Sequence, residues 1–157
     1  MIRRFRAQDA AAVSTLHANT IRKVNKGDYS DEQIEPWASH SSPQMFVDSM
    51  FELVRFVADS AGHIVGFADY KPDTGQITGL YVSADHQRSG YGKQLYEALE
   101  HDARKRGLER LWLESTITAA PFYEAMGFVK TSQTRVVERH NLERTRMEKV
   151  LRSQEAQ

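Results

Sequence analysis

A strand-to-helix turn with two glycines is the part of this sequence best suited to chemistry. The segment runs Leu80-Tyr81-Val82-Ser83-Ala84-Asp85-His86-Gln87-Arg88-Ser89-Gly90-Tyr91-Gly92-Lys93. The first amides of a helix have no intrahelical acceptor, and they lie at the positive end of the helix dipole. Glycines let this backbone approach an anion closely, and Arg88 and Lys93 add positive charge. The segment therefore indicates a site for a phosphate or pyrophosphate group.

Spacing alone leaves two interpretations of this loop. It is not a Walker loop, because position 87 is Gln and Lys93 is followed by Gln94. It is not a dinucleotide-binding fingerprint, because Leu95 stands where the third glycine is required. A strand–turn–helix connection whose glycines only satisfy backbone geometry fits the spacing as well as an anion site does.

Hydrophobic spacing and capping residues predict the elements that position this loop. The predicted helices cover 10–24, a short segment that begins at Ser30, 44–51, the stretch from the loop to Gly107, and 119–126. The predicted strands cover 2–6, 53–59, 63–70, 76–82, 108–114, 128–137 and 147–151, with a polar loop over 138–146. Strands 53–82 read as an antiparallel meander, and a strand–helix–strand segment follows it. The fold class expected is mixed α/β with one central sheet.

Composition excludes several classes of protein. A chain of 157 residues fits one domain, here 1–157, with a core over 2–151 and a frayed tail over 152–157. Lys plus Arg and Asp plus Glu both number 21, so no net charge attracts nucleic acid. The absence of cysteine excludes disulfides, thiolate metal sites and a cysteine nucleophile. We expect no secretory signal, no membrane span and a cytoplasmic protein.

Two motifs together resemble the GNAT superfamily of acyl-CoA-dependent N-acetyltransferases. Gln87-Arg88-Ser89-Gly90-Tyr91-Gly92 is similar to the Gln/Arg-x-x-Gly-x-Gly/Ala signature of that family. Pro121-Phe122-Tyr123-Glu124-Ala125-Met126-Gly127-Phe128 resembles its second signature, and Gly79-Leu80-Tyr81-Val82 its fourth strand. The resemblance covers 2–151 and is strongest over 77–130. It implies a mostly antiparallel sheet, flanked by helices, that splays between strands four and five.

The resemblance also implies which residues bind acetyl-CoA. Main-chain groups of Leu80, Tyr81 and Val82 would pair with the pantetheine arm as an added strand. The pyrophosphate would lie on the loop amides of Gln87, Arg88, Ser89, Gly90, Tyr91, Gly92 and Lys93. The family commonly has an Asn after strand five, and Ser115 or Thr116 would replace it here. Phe122 and Tyr123 would lie at the cofactor or fill the core, and Gly79 is consistent with a β-bulge.

The chemistry that the resemblance implies is direct acylation of an amine in a ternary complex. Tyr123 matches the family tyrosine near the CoA sulfur, where its phenol would protonate or hydrogen-bond the leaving thiolate. The backbone N–H of Val82 would donate to the carbonyl oxygen of the acyl group. An alkyl ammonium must lose a proton before it attacks, so a general base is expected.

Nothing in the sequence selects that base. Glu114 ends the fifth predicted strand, although a solvated carboxylate would also explain it. Asp69 and Tyr81 lie on strands and His17 on the first helix, and packing or solvent exposure explains each of them without a catalytic role. The six histidines at 17, 40, 63, 86, 101 and 140 have no metal-binding spacing, so no metal is predicted.

The acceptor site is predicted in the segment 24–37, where such enzymes vary to select substrate. Its Asp-Tyr-Ser-x-Glu-Gln…Trp run resembles one in a bacterial subgroup of acetyltransferases. Tyr29, Glu32 and Trp37, together with Asp69, are the substrate residues expected, and they would suit a cationic amine. An ordinary capped surface helix explains the same residues.

The sequence therefore predicts an acetyl-CoA-dependent N-acetyltransferase of small amines. A protein or peptide amine is the alternative acceptor, and a non-catalytic acyl-CoA-binding module is the alternative in another class. A nucleic-acid-binding protein that uses the arginines of the C-terminal part is a third. Dimers are common in the family, so a homodimer is left open.

Overall fold

Thirteen helices and strands make up the described part of the chain. The structure is a computed structural model, and it describes residues 1–131, 135–137 and 142–151. The helices are α1 (Ala10–Val24), α2 (Asp31–Ser39), α3 (Pro43–Asp48), α4 (Tyr91–Lys105) and α5 (Ala120–Ala125). The strands are β1 (Ile2–Arg4), β2 (Val54–Ser60), β3 (His63–Lys71), β4 (Gln76–Val82), β5 (Arg110–Ser115), β6 (Val129–Lys130), β7 (Arg135–Val137) and β8 (Leu142–Val150). The mixed α/β class predicted from the sequence is confirmed.

Local capping explains where the short helices begin. The Ser30 hydroxyl accepts from the Gln33 amide at 3.3 Å, and the Gln33 side chain accepts from the Ser30 amide at 2.9 Å. This capping box satisfies two amide groups that the helix itself leaves free. Ser42 caps α3 by accepting from Met45, and Pro43 occupies its first turn. Both predicted helix starts are confirmed.

The strands β2, β3 and β4 form the predicted antiparallel meander. The register between β3 and β4 slips by one residue, since Gly79 lies opposite Asp69 while Ile77 lies opposite Tyr70. Thr78 is therefore the extra residue of a β-bulge beside Gly79. A Cβ at Gly79 would lie 3.2 Å from the Asp69 carboxylate, so glycine permits the close approach at this bulge.

The sheet opens between β4 and β5. The strand order is β1-β2-β3-β4-β5-β8-β6, with β7 paired to β8. The pair β4–β5 is parallel and is joined at Gln76 and Trp112, where the Trp112 amide donates to the Gly75 carbonyl at 3.1 Å. Beyond this point the two strands diverge, whereas β5 pairs with β8 along its whole length. The splay that the family resemblance implied is present.

Helices cover both faces of the sheet. On one face, which we call the α4 face, α4 and α5 pack on an apolar core that includes Leu95, Leu99, Leu111 and Met147. On the other, the α1 face, α1 and α3 cover Val57 and Phe67, and α2 packs on α1 through a cluster of Ile21, Tyr29, Ile34 and Trp37. Because side chains alternate along a strand, each of β4, β5 and β8 presents residues to both layers.

The end of the chain departs from the sequence prediction. The predicted strand over 128–137 is two short strands, β6 and β7, and residues 142–146 of the predicted polar loop belong to β8. Long polar side chains are accommodated there because they find partners: Arg146 lies over the Trp112 ring at 4.0 Å and binds Glu148 at 3.1 Å. The predicted tail over 152–157 lies outside the described residues. None of the described helices has the length and apolar character needed to cross a bilayer.

Candidate active site

A cavity of about 650 Å³ occupies the opening between β4 and β5. It extends from the turn before α4, on one side of the sheet, to the end of α1 on the other. Side chains and backbone of α1, β4, the β4–α4 turn, β5, α5 and β8 line it. The cavity therefore passes through the sheet at the splay and connects the two faces.

The edge of β4 offers unpaired main-chain groups to this cavity. The Ser83 amide donates to the Val65 carbonyl at 2.8 Å, and Tyr81 lies opposite Phe67 on β3. Hydrogen bonding alternates along an antiparallel strand, so the main chain of Tyr81 faces β3 while that of Leu80 and Val82 faces the cavity. The Val82 carbonyl accepts from the Gln87 side-chain amide at 2.5 Å, whereas the Val82 N–H remains available.

The turn before α4 is shaped for backbone contact with an anion. Gly90 has φ +89° and Arg88 has φ +61°, both in the left-handed region. The first bond of α4 runs from the Gln94 amide to the Gly90 carbonyl at 3.0 Å, so the amides of 91–93 have no acceptor within the helix. A Cβ at Gly92 would lie 3.3 Å from the Phe122 ring, so a glycine lets α4 and α5 pack closely here.

The side chains of Ser83, His86 and Ser89 hold this turn in place. The Ser83 hydroxyl and His86 Nδ1 lie 2.7 Å apart, and the Ser89 hydroxyl donates to the His86 carbonyl. Gln87, Arg88 and Lys93 line the cavity, whereas the side chains of Ser89 and Tyr91 lie outside its wall. The predicted phosphate loop thus presents mainly its amides and two cations to the opening.

Tyr123 lies on α5, in the wall of the cavity. Its ring packs between Phe122 and Phe128, with centroid distances of 5.3 and 5.5 Å, and only 6% of the residue is exposed. Burial raises the pKa of the Tyr123 phenol well above its ordinary value. Among the described residues, none forms a hydrogen bond with its hydroxyl. Tyr123 is therefore a protonated donor that faces a cavity.

The end of β5 contributes a carboxylate and two hydroxyls. Glu114 is half-buried in the cavity wall, and Arg146, its cross-strand neighbour, pairs with Glu148 instead. The Ser115 hydroxyl donates to the Thr116 carbonyl at 2.7 Å, and the Thr116 hydroxyl accepts from the Ala119 amide at 3.2 Å. Both hydroxyls lie at the cavity, and both also order the turn into α5.

The residues predicted to bind substrate lie outside the cavity wall. The Tyr29 hydroxyl accepts from the Ile117 amide at 2.8 Å and donates to the Glu143 carbonyl at 3.2 Å. Trp37 packs edge-on against Tyr29 and is 4% exposed, and Glu32 faces solvent on α2. Through Tyr29, the segment before α2 is hydrogen-bonded to the β5–α5 turn and to β8. These residues therefore support the cavity wall on the α1 face.

Asp69 is buried in an ion pair beneath the site. Its carboxylate binds Arg55 at 2.7 Å, and both side chains are at most 5% exposed. The second carboxylate oxygen accepts from the Thr78 hydroxyl at 2.6 Å, at the β4 bulge. Arg55 also donates to the Phe46 carbonyl and the Ser49 hydroxyl. Because its oxygens are engaged in this way, Asp69 supports β4.

His17 packs within an aromatic cluster. Its ring makes edge contacts with Phe46, Phe67 and Tyr81 at centroid distances of 4.7 to 5.7 Å. Burial, with smaller effects from the charges of Arg55 and His40, lowers the pKa of His17 to about 4. The imidazole is therefore neutral at neutral pH. Burial raises the pKa of Tyr81 to about 12, so its phenol is neutral as well.

Several cavity residues were missed by the sequence analysis. They are Thr20, Val24, Asn25, His86, Thr118 and Arg144. Val24 and Asn25 lie in the segment 24–37, where the acceptor site was predicted, but neither was singled out as a site residue. Arg144 was grouped with the charged residues of a polar loop. Only the polar character of Asn25 at a helix end could have indicated its place.

Comparisons with known proteins agree with this geometry. Residues 25–151 match the family described as Acetyltransferase (GNAT) domain. A GCN5-related N-acetyltransferase structure from Rhodopseudomonas palustris, also described as a class-II aminotransferase, is 31% identical. It has a TM-score of 0.88, and the match covers 96% of this chain and 95% of that one.

Two further relatives are more distant or are matched over shorter stretches. The ribosomal protein bS18-alanine N-acetyltransferase of Escherichia coli (strain K12) is 39% identical over 99 residues, which span 59% of this chain and 64% of that protein. PaiA N-acetyltransferase from Thermoplasma acidophilum, solved with coenzyme A, shares the fold with a TM-score of 0.78 at 20% identity, over 96% of this chain and 98% of that one. With the matching family and the cavity at the splay, this chain belongs to the GNAT acetyltransferase family.

Proposed function

We propose that the protein transfers an acetyl group from acetyl-CoA to a primary amine of a small molecule, by direct attack in a ternary complex. The observation that carries the proposal is the continuous cavity through the splayed sheet. The turn before α4, the Tyr123 phenol and the Glu114 side chain all belong to the wall of this one cavity. An acyl donor and an amine can therefore approach each other from the two faces of the sheet.

The residues at the α4 end suit the cofactor. The amides of 91–93 and the cations Arg88 and Lys93 suit the pyrophosphate, since helix N-termini bind phosphate groups. The main-chain groups of Leu80 and the N–H of Val82, which face the cavity, suit the amide groups of the pantetheine arm, which would add to β4 as a strand does. A coenzyme A complex of a protein with the same fold supports this assignment.

Three groups of the chain would then carry out the transfer. Bound acetyl-CoA supplies a thioester whose carbonyl carbon the amine nitrogen attacks as the C–S bond breaks. Glu114 accepts a proton from the amine, and the Val82 N–H donates to the carbonyl oxygen, where negative charge develops. Tyr123 gives its phenolic proton to the departing sulfur, which its protonated state permits.

A protein amine is the second candidate acceptor. The relative with 39% identity over 99 residues is named as an alanine N-acetyltransferase of a ribosomal protein. Peptides that begin with alanine, tested beside small amines of the same pKa, separate the two acceptor classes. A kcat/KM for such a peptide well above that for every small amine would favour the protein acceptor.

The first experiment is thermal unfolding with acetyl-CoA, with ATP and NAD as controls. A ligand at a hundredfold excess over its Kd stabilises the native state by about 2.7 kcal/mol. We expect a rise in Tm with acetyl-CoA and CoA that ATP and NAD do not match. Thiol release in the presence of amines then tests transfer itself. Binding without transfer to any amine would favour a non-catalytic acyl-CoA-binding module.

A further inference from the structure

Arg144 contributes a positive charge to the cavity, and no described residue pairs with it. It lies near the start of β8, it lines the cavity, and its Nε is buried with no hydrogen bond. Within 1–131, 135–137 and 142–151, no carboxylate lies at ion-pair distance from its guanidinium. A buried polar group without a partner is unfavourable, and more so when it is charged. The position is therefore suited to a ligand that brings a negative charge.

Neighbouring cations on the same strand show the contrast. Arg146 binds Glu148 at 3.1 Å, and Lys149 binds Glu100 at 2.6 Å. Both are satisfied by carboxylates of the chain itself, as is usual for half-buried cations. Arg144 differs from them in that it faces the cavity, where a bound molecule can supply the acceptor atoms.

Arg144 lies on the side of the sheet opposite to the turn before α4. Met147 faces the α4 core, so alternation along β8 places Arg144 and Arg146 on the α1 face. The hydroxyls of Tyr29 and Tyr81 lie close enough for the charge of Arg144 to act on them, and both belong to that face. The free amides of α4 lie at the other end of the cavity. Arg144 is thus on the side from which the acceptor would approach.

Glu114 lies close enough to Arg144 for one small molecule to contact both side chains. It pairs in register with Arg146, so Arg144 is its diagonal neighbour on the same face of the sheet. Such neighbours are about 7–8 Å apart, and their Cβ atoms are somewhat closer. One end of this pocket is therefore negative and the other positive, and the Asn25 side chain lines it between α1 and the sheet.

We propose that the acceptor is an amine that also carries a carboxylate, as a free amino acid does, with Arg144 binding the carboxylate while Glu114 faces the amine. A guanidinium suits a carboxylate because its planar N–H groups can donate two parallel hydrogen bonds. This inference rests on the proposed function. It replaces the cationic acceptor expected from the sequence, because Tyr29 and Trp37, which were expected to bind it, are engaged in packing and backbone contacts and lie outside the cavity wall.

The test compares acceptors that differ in the carboxylate. Thiol release from acetyl-CoA is measured with the twenty standard amino acids, with their methyl esters and with the decarboxylated amines. We expect kcat/KM to be at least tenfold higher for the best amino acid than for its ester. The ester has the lower amine pKa, which favours attack, so amine protonation cannot produce this preference.

The variant Arg144→Gln identifies the residue responsible. It should lower kcat/KM for the preferred amino acid roughly ten- to hundredfold, through KM, since hydrogen bonds to charged groups are worth about 1.5–3 kcal/mol. Its activity on the ester should stay within about twofold. Arg144→Lys keeps the positive charge but cannot donate two parallel hydrogen bonds, so it should recover part of the loss. Arg146→Gln, two residues along the strand, is the matched control and should behave as the unaltered protein does.

Three results would overturn the proposal: equal kcat/KM for acids and esters, an equal loss on both with Arg144→Gln, or acetylation of no amino acid by a protein that binds acetyl-CoA. The last would leave the acyltransferase assignment intact if carboxylate-free amines or peptides are acetylated. Absence of stabilisation by acetyl-CoA would instead remove the proposed function, and this inference with it. The two failures are therefore distinguishable.

Discussion

The two ends of the cavity are built in different ways. At the α4 end, one continuous turn, 87–93, presents the free amides of 91–93, and a left-handed glycine and short hydroxyl contacts hold its conformation. At the α1 end, side chains from three distant segments meet: Asn25 after α1, Glu114 on β5 and Arg144 on β8. The conformation of one turn is enough to orient main-chain amides. The three side chains of the α1 end come close together only because the whole sheet has folded.

Because the two ends are built differently, different substitutions should disrupt them. The α1 end depends on buried groups beneath it, above all the Arg55–Asp69 pair at the β4 bulge and the ring cluster around His17. The α4 end depends on the dihedral angles of one turn. Substitutions can therefore test the two ends separately.

The largest effect is expected from Asp69→Asn. The substitution leaves the buried Arg55 charge without a counter-charge, and removal of one partner from such a pair costs about 3–5 kcal/mol. Urea denaturation measures the free energy of unfolding. Glu124→Gln is the control, because Glu124 and Lys130 form a pair whose side chains are both more than half exposed, and its effect should stay near zero. A loss below 1 kcal/mol for Asp69→Asn would mean that Arg55 is solvated.

The next effect is a pH dependence caused by His17. Its pKa is about 4 in the folded protein against an ordinary value of 6.5, so the unfolded state binds more protons between these values. Stability conferred by the neutral imidazole is complete above pH 6.5 and is lost as the pH falls towards 4, by about 3 kcal/mol at most. In His17→Phe, the free energy of unfolding should fall less over this range. His63→Gln, at an exposed position, should keep the original pH profile.

Tyr123→Phe tests the proposed role of the Tyr123 phenol as a general acid. Removal of a general acid lowers kcat by about a hundredfold or more, while the ring that packs between Phe122 and Phe128 is kept. The Kd of acetyl-CoA should therefore be unchanged. Tyr96→Phe is the matched control, because the Tyr96 hydroxyl binds Glu100 at 2.7 Å away from the cavity, and it should lower stability without lowering kcat. An unchanged kcat for Tyr123→Phe would rule out the acid role.

The smallest effect is expected from Gly90→Ala. A Cβ there would meet only the Gln94 side chain at 3.9 Å, so the penalty is conformational, about 1–2 kcal/mol for the left-handed region. We expect a loss of stability of that size together with weaker acetyl-CoA binding, measured by titration calorimetry. Gly62→Ala carries the same φ of +89° at a distant hairpin and should lose stability alone. Equal acetyl-CoA affinity in both variants would show that the turn does not hold the cofactor.

Local signals predicted much of the α4 end. The glycine turn before α4 and the stop at Gly107 each depend on dihedral angles within a few residues. The capping box of Ser30 and Gln33, which begins α2 on the other side of the sheet, is equally local. The α1 end was harder to predict. Tyr29 and Trp37 looked like an aromatic binding surface, but their rings are buried against α1 and the Tyr29 hydroxyl is taken up by backbone groups. Whether one side of an amphipathic helix meets a ligand or a neighbouring helix is decided by packing.

The sequence by itself determined the order of elements, the phosphate-type turn and the family, since these reside in short contiguous patterns. Only the tertiary structure decided that Asp69 is paired with Arg55 and that Arg144 reaches the cavity. Each of these joins residues far apart in the chain. The register of the strands and the alternation of their side chains set which charges meet, and no local pattern encodes that register.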